Sequence, residues 1–217
     1  MDFELAVFLE VLPALAAGAV VTAQLALGAA LLGLVFGLLG GLARVSGNRL
    51  LRGTSLGYVL IVRGLPLLVI LLFLYYGLPS IGVLLSAPTV AVLALSITNG
   101  AYVTEIVRAG IESIDRGQMR AARSLGMSYP LAMRRIILPQ AFRRVLPPLT
   151  NEAITLVKNT ALVSVIAISD LLRAGVDAMT WKANTFSPFA GVGLLYLVLT
   201  IPLLVLNRTL ERRYRIR

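Results

Sequence analysis

The sequence has 217 residues, of which 58% are hydrophobic and only 14% are charged. Soluble domains are about half apolar and about a quarter charged, so this composition excludes a soluble domain and predicts an integral membrane protein. Because a spanning helix needs about 20 apolar residues, the chain has room for at most about six or seven spans and for no large extramembrane domain. The lack of Cys and His excludes disulfides, thiol nucleophiles, Ser-His dyads and the usual zinc sites.

The formal net charge is +10, from 20 Lys and Arg against 10 Asp and Glu. The basic residues are confined to short stretches beside apolar runs and do not form a solvated basic face, so nucleic acid is not a predicted partner. The first ten residues, MDFELAVFLE, contain three acidic residues and no basic one. A secretory leader begins with basic residues, so the first hydrophobic segment is predicted to be retained.

Five hydrophobic stretches are predicted to span the membrane as helices. They cover about residues 11–43, 64–84, 86–107, 145–169 and 184–207. The first is longer than a bilayer requires at about 1.5 Å rise per residue, so it should be tilted, kinked or projecting, and a basic turn follows it. The fourth contains Glu152 and Lys158 and therefore has a polar interior. The predicted fold class is an all-α membrane protein whose residues 1–217 form one transmembrane domain.

The basic residues predict the orientation of these spans. An odd number of spans places the termini on opposite sides and sorts the loops into two sets. Seventeen arginines fall in one set, whereas only Arg173 and Lys182 fall in the other. Cytoplasmic loops carry an excess of basic residues, so the N-terminus is predicted outside, the C-terminus in the cytoplasm, and residues 108–144 in a cytoplasmic loop.

This loop contains a short segment that is suited to docking. Residues 118–125 are compatible with a helix, Gly126 is a predicted C-terminal cap, and small Ala121 and Ala122 permit close approach of another surface. The alternative is an amphipathic interfacial helix that binds anionic membrane lipid through Arg116, Arg120 and Arg123.

The same loop resembles the EAA loop of bacterial ATP-binding-cassette (ABC) importer permeases. From Gly117 the chain reads GQMRAARSLGMSYPLAMRRIILPQAFRRVLPPLTNE. The positions that match that loop are Ala121-Ala122, Leu125-Gly126, Ile137-Leu138-Pro139 and Ala141. The positions that resemble the polar amino acid branch of these permeases are Gly100-Ala101-Tyr102, Glu105-Ile106, Arg108, Gly110-Ile111, Gly117-Gln118, Leu138-Pro139-Gln140-Ala141, Leu146-Pro147-Pro148 and Lys158-Asn159-Thr160. The chain departs from the family pattern at two positions. Arg120 stands where the EAA loop usually has Glu. The segment Arg63-Gly64-Leu65-Pro66 resembles an Arg-Gly-Thr-Pro motif of the family, with Leu65 in place of the Thr.

The resemblance implies a type I importer permease in the bacterial cytoplasmic (inner) membrane. Its implied partners are two cytoplasmic ABC ATPase subunits, a second permease chain and an extracytoplasmic amino-acid-binding protein. The second permease is either a copy of this chain or a paralogue. The chain has no GxxxxGK[ST] phosphate-binding loop, so it is predicted not to be an enzyme and to need no cofactor, with ATP and Mg bound by the partner ATPase. The residues implied to couple the permease to that ATPase are Gly117, Gln118, Arg120, Ala121, Ala122, Leu125, Gly126, Leu138 and Pro139.

Polar residues at membrane depth predict the substrate path, because ionisable groups there cost about 2.5–3.5 kcal/mol on insertion scales and usually face a cavity or a partner. A helical turn of about 100° per residue places Glu152, Thr155 and Asn159 on one stripe. The predicted path residues are Ser96, Asn99, Tyr102, Glu152, Thr155, Asn159, Thr160 and Ser164. A zwitterionic substrate needs donors for its carboxylate and acceptors for its ammonium group, and this set supplies both. Pairing of Glu152 and Lys158 within the bundle is the structural alternative, and the sequence does not choose between a cationic and an acidic substrate.

Two other classes of function are open. A self-sufficient ion- or proton-coupled carrier commonly shows inverted repeats with broken helices, and no such symmetry is visible in five spans. A membrane enzyme would need a constellation such as clustered carboxylates that hold a metal ion. Glu105 and Glu112 share a helix face with Arg108, however, which predicts salt bridges from Arg108 to these carboxylates.

Small residues in the first predicted span are suited to helix packing. The small residues Gly33, Gly37, Gly40 and Gly41 allow close packing, either within one subunit or across a dimer.

Overall fold

The computed structural model describes residues 3–214, and this part of the chain is helical with short connections. The α-helices are α1 (Leu5–Arg44), α2 (Arg49–Gly64), α3 (Leu67–Leu72), α4 (Ala87–Glu112), α5 (Arg116–Ser124), α6 (Tyr129–Ala132), α7 (Leu138–Asn159), α8 (Leu171–Lys182) and α9 (Phe186–Arg213). Turns of π-helix at Phe73–Gly77 and Met133–Ile137, and of 3-10 helix at Leu78–Ile81 and Thr160–Ile166, extend α3, α6 and α7. Helices satisfy their backbone hydrogen bonds internally, which an apolar chain in a bilayer requires.

Three helices, α1, α4 and α9, are each long and apolar enough to cross a membrane. Two bent helix pairs meet the same test when each pair is taken as one span, which gives up to five spans. In the first pair, α2 and Leu67–Ile81 differ in direction by 101°; in the second, Tyr129–Ile166 and α8 differ by 53°.

Around the second span the observed helices differ from the predicted range 64–84. Residues 49–64, which begin within the predicted basic turn and lie almost wholly before the predicted second span, form α2, whose first turn is capped by the Asn48 side chain. The sharp bend follows at Leu65-Pro66, where Leu65 is extended with φ −105° and ψ 140°. A proline disfavours helical geometry in the residue before it, so α2 ends there and α3 starts in a new direction.

Around the fourth span the helical structure is also longer than the predicted range 145–169. It runs from Tyr129 to Ile166 and is followed by Ala167 with φ +59°. Residues 171–182, which fall between the predicted fourth and fifth spans, form α8. Its cap is Asp170, a buried carboxylate that accepts from the backbone N–H groups of Leu172 (3.3 Å) and Arg173 (3.1 Å).

The main packing contact lies between α1 and α4. Gly33, Gly37, Gly40 and Gly41 of α1 face α4, and a Cβ at any of them would meet α4 side chains, those of Asn99, Val103, Thr104 and Val107. The glycine stripe of α1 therefore serves packing within the subunit in the described part of the chain. This close approach determines how α4 lies relative to the other helices.

A separate hydrophobic core lies at the end of α4 that leads to α5. It joins Val107 and Ile111 of α4 to Ile137 and to Ala141 of α7, with Met119 of α5 packed against it. Gly110 permits this contact, because a Cβ there would overlap the Val145 side chain of α7. The α5 segment thus contacts this core through Met119.

Candidate translocation path and coupling surface

The polar centre of the bundle is a pair formed by Asn99 of α4 and Glu152 of α7. The Asn99 Nδ2 donates to the Glu152 Oε1 at 3.3 Å, and Asn99 is only 5% exposed. Both line a cavity of about 250 Å³ whose other walls are mainly Leu, Val and Ala side chains from α1, α4, α7 and α9. Polar groups in such a low-dielectric site interact strongly with each other and with any polar ligand that enters.

Several other predicted path residues have their hydroxyl groups bonded to their own helix. Ser96 donates to the Val92 carbonyl (2.5 Å), Thr155 to Asn151 (3.2 Å), Thr160 to Val157 (2.7 Å) and Ser164 to Ala161 (2.9 Å). Asn159 is half-buried at the last residue of α7. Asn99 and Glu152 are thus the predicted path residues that the fold brings together by a direct side-chain hydrogen bond.

A second cavity, of about 440 Å³, lies next to α4 toward its α5 end. Tyr102, one helical turn beyond Asn99, lines it, and the Arg63 guanidinium lies over the Tyr102 ring, 4.9 Å from the ring centroid. Arg108 and Arg144 also line this cavity. Arg63 was not among the predicted path residues, although the bend at Arg63-Gly64-Leu65-Pro66 was a sequence signal that could have drawn attention to it.

An ionic network joins α1 to α4 beside this cavity. The Arg44 Nε donates to the Glu105 Oε1 at 3.3 Å, and the Arg108 Nη2 lies 2.8 Å from the Glu105 Oε2. Arg108 also pairs with Glu112. The predicted salt bridging of Glu105 and Glu112 through Arg108 is therefore confirmed, and Arg44 is an additional member of the network.

The segment that resembles a coupling helix forms the short helix α5. The Asp115 side chain caps its start by accepting from the Gly117 N–H (2.5 Å). At its end the Gly126 N–H donates to the Arg123 carbonyl (3.0 Å) and the Met127 N–H to the Ala122 carbonyl (3.1 Å). This is a Schellman ending with Gly126 at φ +82°, the cap conformation predicted from the sequence.

The side chains of α5 and its ending divide into a buried and an exposed set. Ala122 is buried, whereas Gln118, Arg120 and Ala121 are exposed and Leu125 is 83% exposed. Leu138 and Pro139 lie elsewhere, at the start of α7: Leu138 packs against the core beside α5, and Pro139 is exposed. The exposed residues of α5 thus form a small surface, with an apolar side chain among polar and basic ones.

An apolar helical bundle with a polar pair in its interior and a short exposed helix at one end has the organisation of a membrane transport subunit. The chain belongs to the family described as binding-protein-dependent transport system inner membrane component, whose sequence pattern matches residues 33–216. Members of this family are permease subunits of ABC transporters and are not enzymes by themselves.

Named relatives cover the whole length of the chain. It is 35% identical to the arginine transport system permease protein ArtQ of Bacillus subtilis, over 99% of both chains. It is 34% identical to the glutamine transport system permease protein GlnP of Escherichia coli, over 100% of both chains.

Solved structures show the same fold. An amino acid ABC transporter crystallised with histidines contains a chain that is 38% identical, with a TM-score of 0.92 over 98% of this chain and 100% of that one. A chain of the MetNI methionine ABC transporter is 20% identical with a TM-score of 0.77, over 94% and 96% of the two chains. The fold is that of type I ABC importer permeases, as predicted from the sequence.

Proposed function

We propose that this chain is the permease subunit of an ATP-driven importer of polar amino acids. The observation that carries the proposal is the Asn99–Glu152 pair in an apolar cavity. An amide and a carboxylate supply donors and acceptors for a zwitterion where water is scarce. The relatives that are named for arginine and glutamine transport support the same function.

The Glu152 carboxylate favours a substrate group that is positively charged. Every amino acid carries such a group in its α-ammonium, and cationic amino acids carry a second one in the side chain. Neutral and cationic amino acids are therefore both acceptable ligands for this pair, and a cationic substrate gains the stronger electrostatic interaction when its side chain approaches Glu152.

The proposed power source is a separate ABC ATPase, bound in two copies to a dimer of permease chains, with ATP and Mg on the ATPase. Its docking surface is α5. Because α5 packs on the core that joins α4 to α7, a displacement of α5 is transmitted to α7, the helix that carries Glu152. The second permease is a copy or a paralogue, and an extracytoplasmic amino-acid-binding protein delivers substrate from the other side.

The proposed location is the bacterial cytoplasmic membrane, with the N-terminus outside and α5 in the cytoplasm. The chain contains no Cys, so single cysteines report the orientation without background. Ser80→Cys and Ser124→Cys, both at exposed positions, should react with an impermeant maleimide from opposite sides of the membrane. Ser80 should be labelled in intact spheroplasts and Ser124 only in inverted vesicles; the reverse pattern would contradict the proposed orientation.

The function is tested by purifying the tagged chain with its co-expressed neighbouring gene products and reconstituting the complex in proteoliposomes. An ATPase that co-purifies in a ratio of about one to one, and amino acid uptake that requires ATP and the binding protein, are expected. The stoichiometry also distinguishes one permease species from two. A chain that purifies alone and accumulates amino acids on an ion gradient without nucleotide would instead be a secondary carrier.

A further inference from the structure

A third cavity, of about 540 Å³, lies between α1 and α8 and shares no lining residue with the cavity of the polar pair. The two helices run antiparallel along it. At one end, Lys182 of α8 pairs with Glu10 of α1. At the other end, the Leu171 N–H donates to the Thr22 hydroxyl at 3.1 Å. The cavity is therefore a groove that follows α1 from position 10 to position 21, about 17 Å at about 1.5 Å rise per residue.

This groove is charged at one end and apolar along most of its length. Glu10, Asp177 and Trp181 line the end nearer the start of α1. The rest of the wall consists of alanine, valine and glycine, with Ser169 at the far end. Ala17 is exposed in the middle of the groove, so the groove is open on its outer side. A polar end joined to a long apolar wall has the polarity of an amphiphile that lies parallel to α1.

The charges at the polar end of the groove cancel. The Asp177 Oδ1 lies 3.0 Å from the Arg173 Nε, and Glu10 pairs with Lys182. The two carboxylates line the groove, whereas their cationic partners lie outside its wall. A carboxylate has about four acceptor sites, so each can accept from a further donor besides its present partner. This arrangement matches a zwitterion whose ammonium group enters the groove and whose anionic group stays at the rim.

Trp181 indicates the depth of the polar end in the membrane. Its side chain is 74% exposed, and the Lys182 Nζ lies 4.0 Å from the centroid of its ring. Trp is enriched at the level of the lipid headgroups. Arg173 and Lys182 are also the two basic residues of the loops that the sequence predicts outside. The polar end of the groove thus lies at headgroup depth, and the apolar wall follows α1 into the bilayer.

We propose that this groove binds a phospholipid whose headgroup carries a primary ammonium group, phosphatidylethanolamine. The ammonium group donates to Glu10 and Asp177. The phosphate accepts from Arg173 and Lys182, and an acyl chain lies along the alanine wall. In the proposed orientation the lipid belongs to the outer leaflet. An anionic lipid such as phosphatidylglycerol presents no ammonium group to the carboxylates and binds more weakly.

The test uses Trp181, the single Trp of the sequence, so the fluorescence of the purified full-length chain reports on this groove. The chain is reconstituted in phosphatidylcholine vesicles that contain the same fraction of one lipid with brominated acyl chains, which quench Trp on contact. Brominated phosphatidylethanolamine should quench about two- to fivefold more than brominated phosphatidylcholine or phosphatidylglycerol, as expected for contacts between half-exposed charges.

Two leucine variants of α1 test whether the groove itself holds the lipid. Ala17→Leu fills the groove from an exposed position and should abolish the preference for phosphatidylethanolamine. Ala16→Leu is the matched control, because Ala16 is exposed on the same helix and does not line the groove. It should keep the preference. Equal quenching by the three lipids in the wild type, or the wild-type preference in Ala17→Leu, would overturn the proposal.

Glu10→Gln tests the charge pattern without a change in the shape of the groove. It removes one carboxylate and leaves Lys182 without its partner, so the preference should shift toward phosphatidylglycerol. An unchanged preference would contradict the assigned headgroup. A second copy of this chain is the other occupant to consider. A disulfide-linked dimer of Ala17→Cys, in a chain that otherwise contains no Cys, would place that copy in the groove and overturn the proposal. These outcomes do not depend on amino acid uptake and leave the proposed function untouched.

Discussion

Gly33 of α1 lies directly against the side chain of Asn99 of α4. A Cβ built on Gly33 would stand 3.1 Å from the Asn99 Cβ and 3.0 Å from its Cγ, and would overlap its Oδ1. Asn99 is held in this tight space with its Nδ2 directed at Glu152. The absence of a side chain at position 33 thus decides where the amide of the polar pair can lie.

Gly33→Ala should therefore impair transport without unfolding the protein. Alanine favours the helix, but its methyl group must displace the Asn99 side chain and break its hydrogen bond to Glu152. The expected loss of ATP-dependent uptake is about tenfold or more, from one charge-assisted hydrogen bond. Gly28→Ala is the control on the same helix, since its Cβ would only touch Val92 at 3.6 Å. Equal uptake in the two variants would contradict the positioning role of Gly33.

Glu152→Gln should change selectivity among amino acids. Glutamine keeps the volume of the side chain and its bond to Asn99 but removes the charge. The half-saturating concentration for arginine should rise by about tenfold more than that for glutamine, as expected for a lost charge-assisted contact. Initial uptake rates over a range of substrate concentrations measure this. The matched control is Glu211→Gln, exposed near the end of α9, and unchanged selectivity in Glu152→Gln would return Glu152 to a structural role.

Gly126→Val should uncouple the ATPase. Valine in the left-handed conformation costs about 1–2 kcal/mol, although the space around Gly126 is open. The strain should break the Schellman hydrogen bonds that close α5, so that substrate and binding protein no longer stimulate ATP hydrolysis. Asparagine tolerates the same backbone conformation, and Gly126→Asn should retain stimulation. If both variants were stimulated normally, the ending of α5 would not matter for coupling.

Leu125→Ser should weaken docking of the ATPase. Leu125 is 83% exposed beside α5, and burial of a leucine side chain is worth about 1.5–3 kcal/mol. The dissociation constant of the ATPase from the detergent-solubilised permease should therefore rise by about 10- to 100-fold. Leu84→Ser is the control, because Leu84 is similarly exposed (81%) before the opposite end of α4. A dissociation constant that does not change in Leu125→Ser would place the ATPase on a different surface.

Glu105→Ala should destabilise the bundle more than loss of an exposed ion pair does. The Arg44 and Glu105 side chains are only 16% and 20% exposed, so removal of the carboxylate leaves a half-buried guanidinium group without its partner. The expected cost is about 1–3 kcal/mol, seen as a lower melting temperature in detergent. Asp177→Asn, which breaks the exposed Arg173–Asp177 pair, should cost about 0–1 kcal/mol. Equal shifts in the two variants would show that the Glu105 network does not stabilise the α1–α4 contact.

Local patterns in the sequence predicted much of the architecture. The apolar runs are long enough to indicate spanning helices, the glycine at position 126 indicates the end of a short helix, and Arg108 between two glutamates indicates an ion-paired cluster. Each of these depends on neighbours within a few residues. The two bends were harder to place: α2 and α8 are helices of mixed polarity, so hydropathy assigned their residues to connections.

The polar centre was predicted only as a set of residues, and the tertiary structure decided which of them meet. Asn99 and Glu152 are 53 residues apart, and their contact depends on how closely α1, α4 and α7 approach one another. Arg63 reaches Tyr102 only because the chain turns by 101° between α2 and the segment after it. Apolar content and local turn residues determine which segments are helical, whereas contacts between distant side chains depend on the packing of whole helices, which no local pattern encodes.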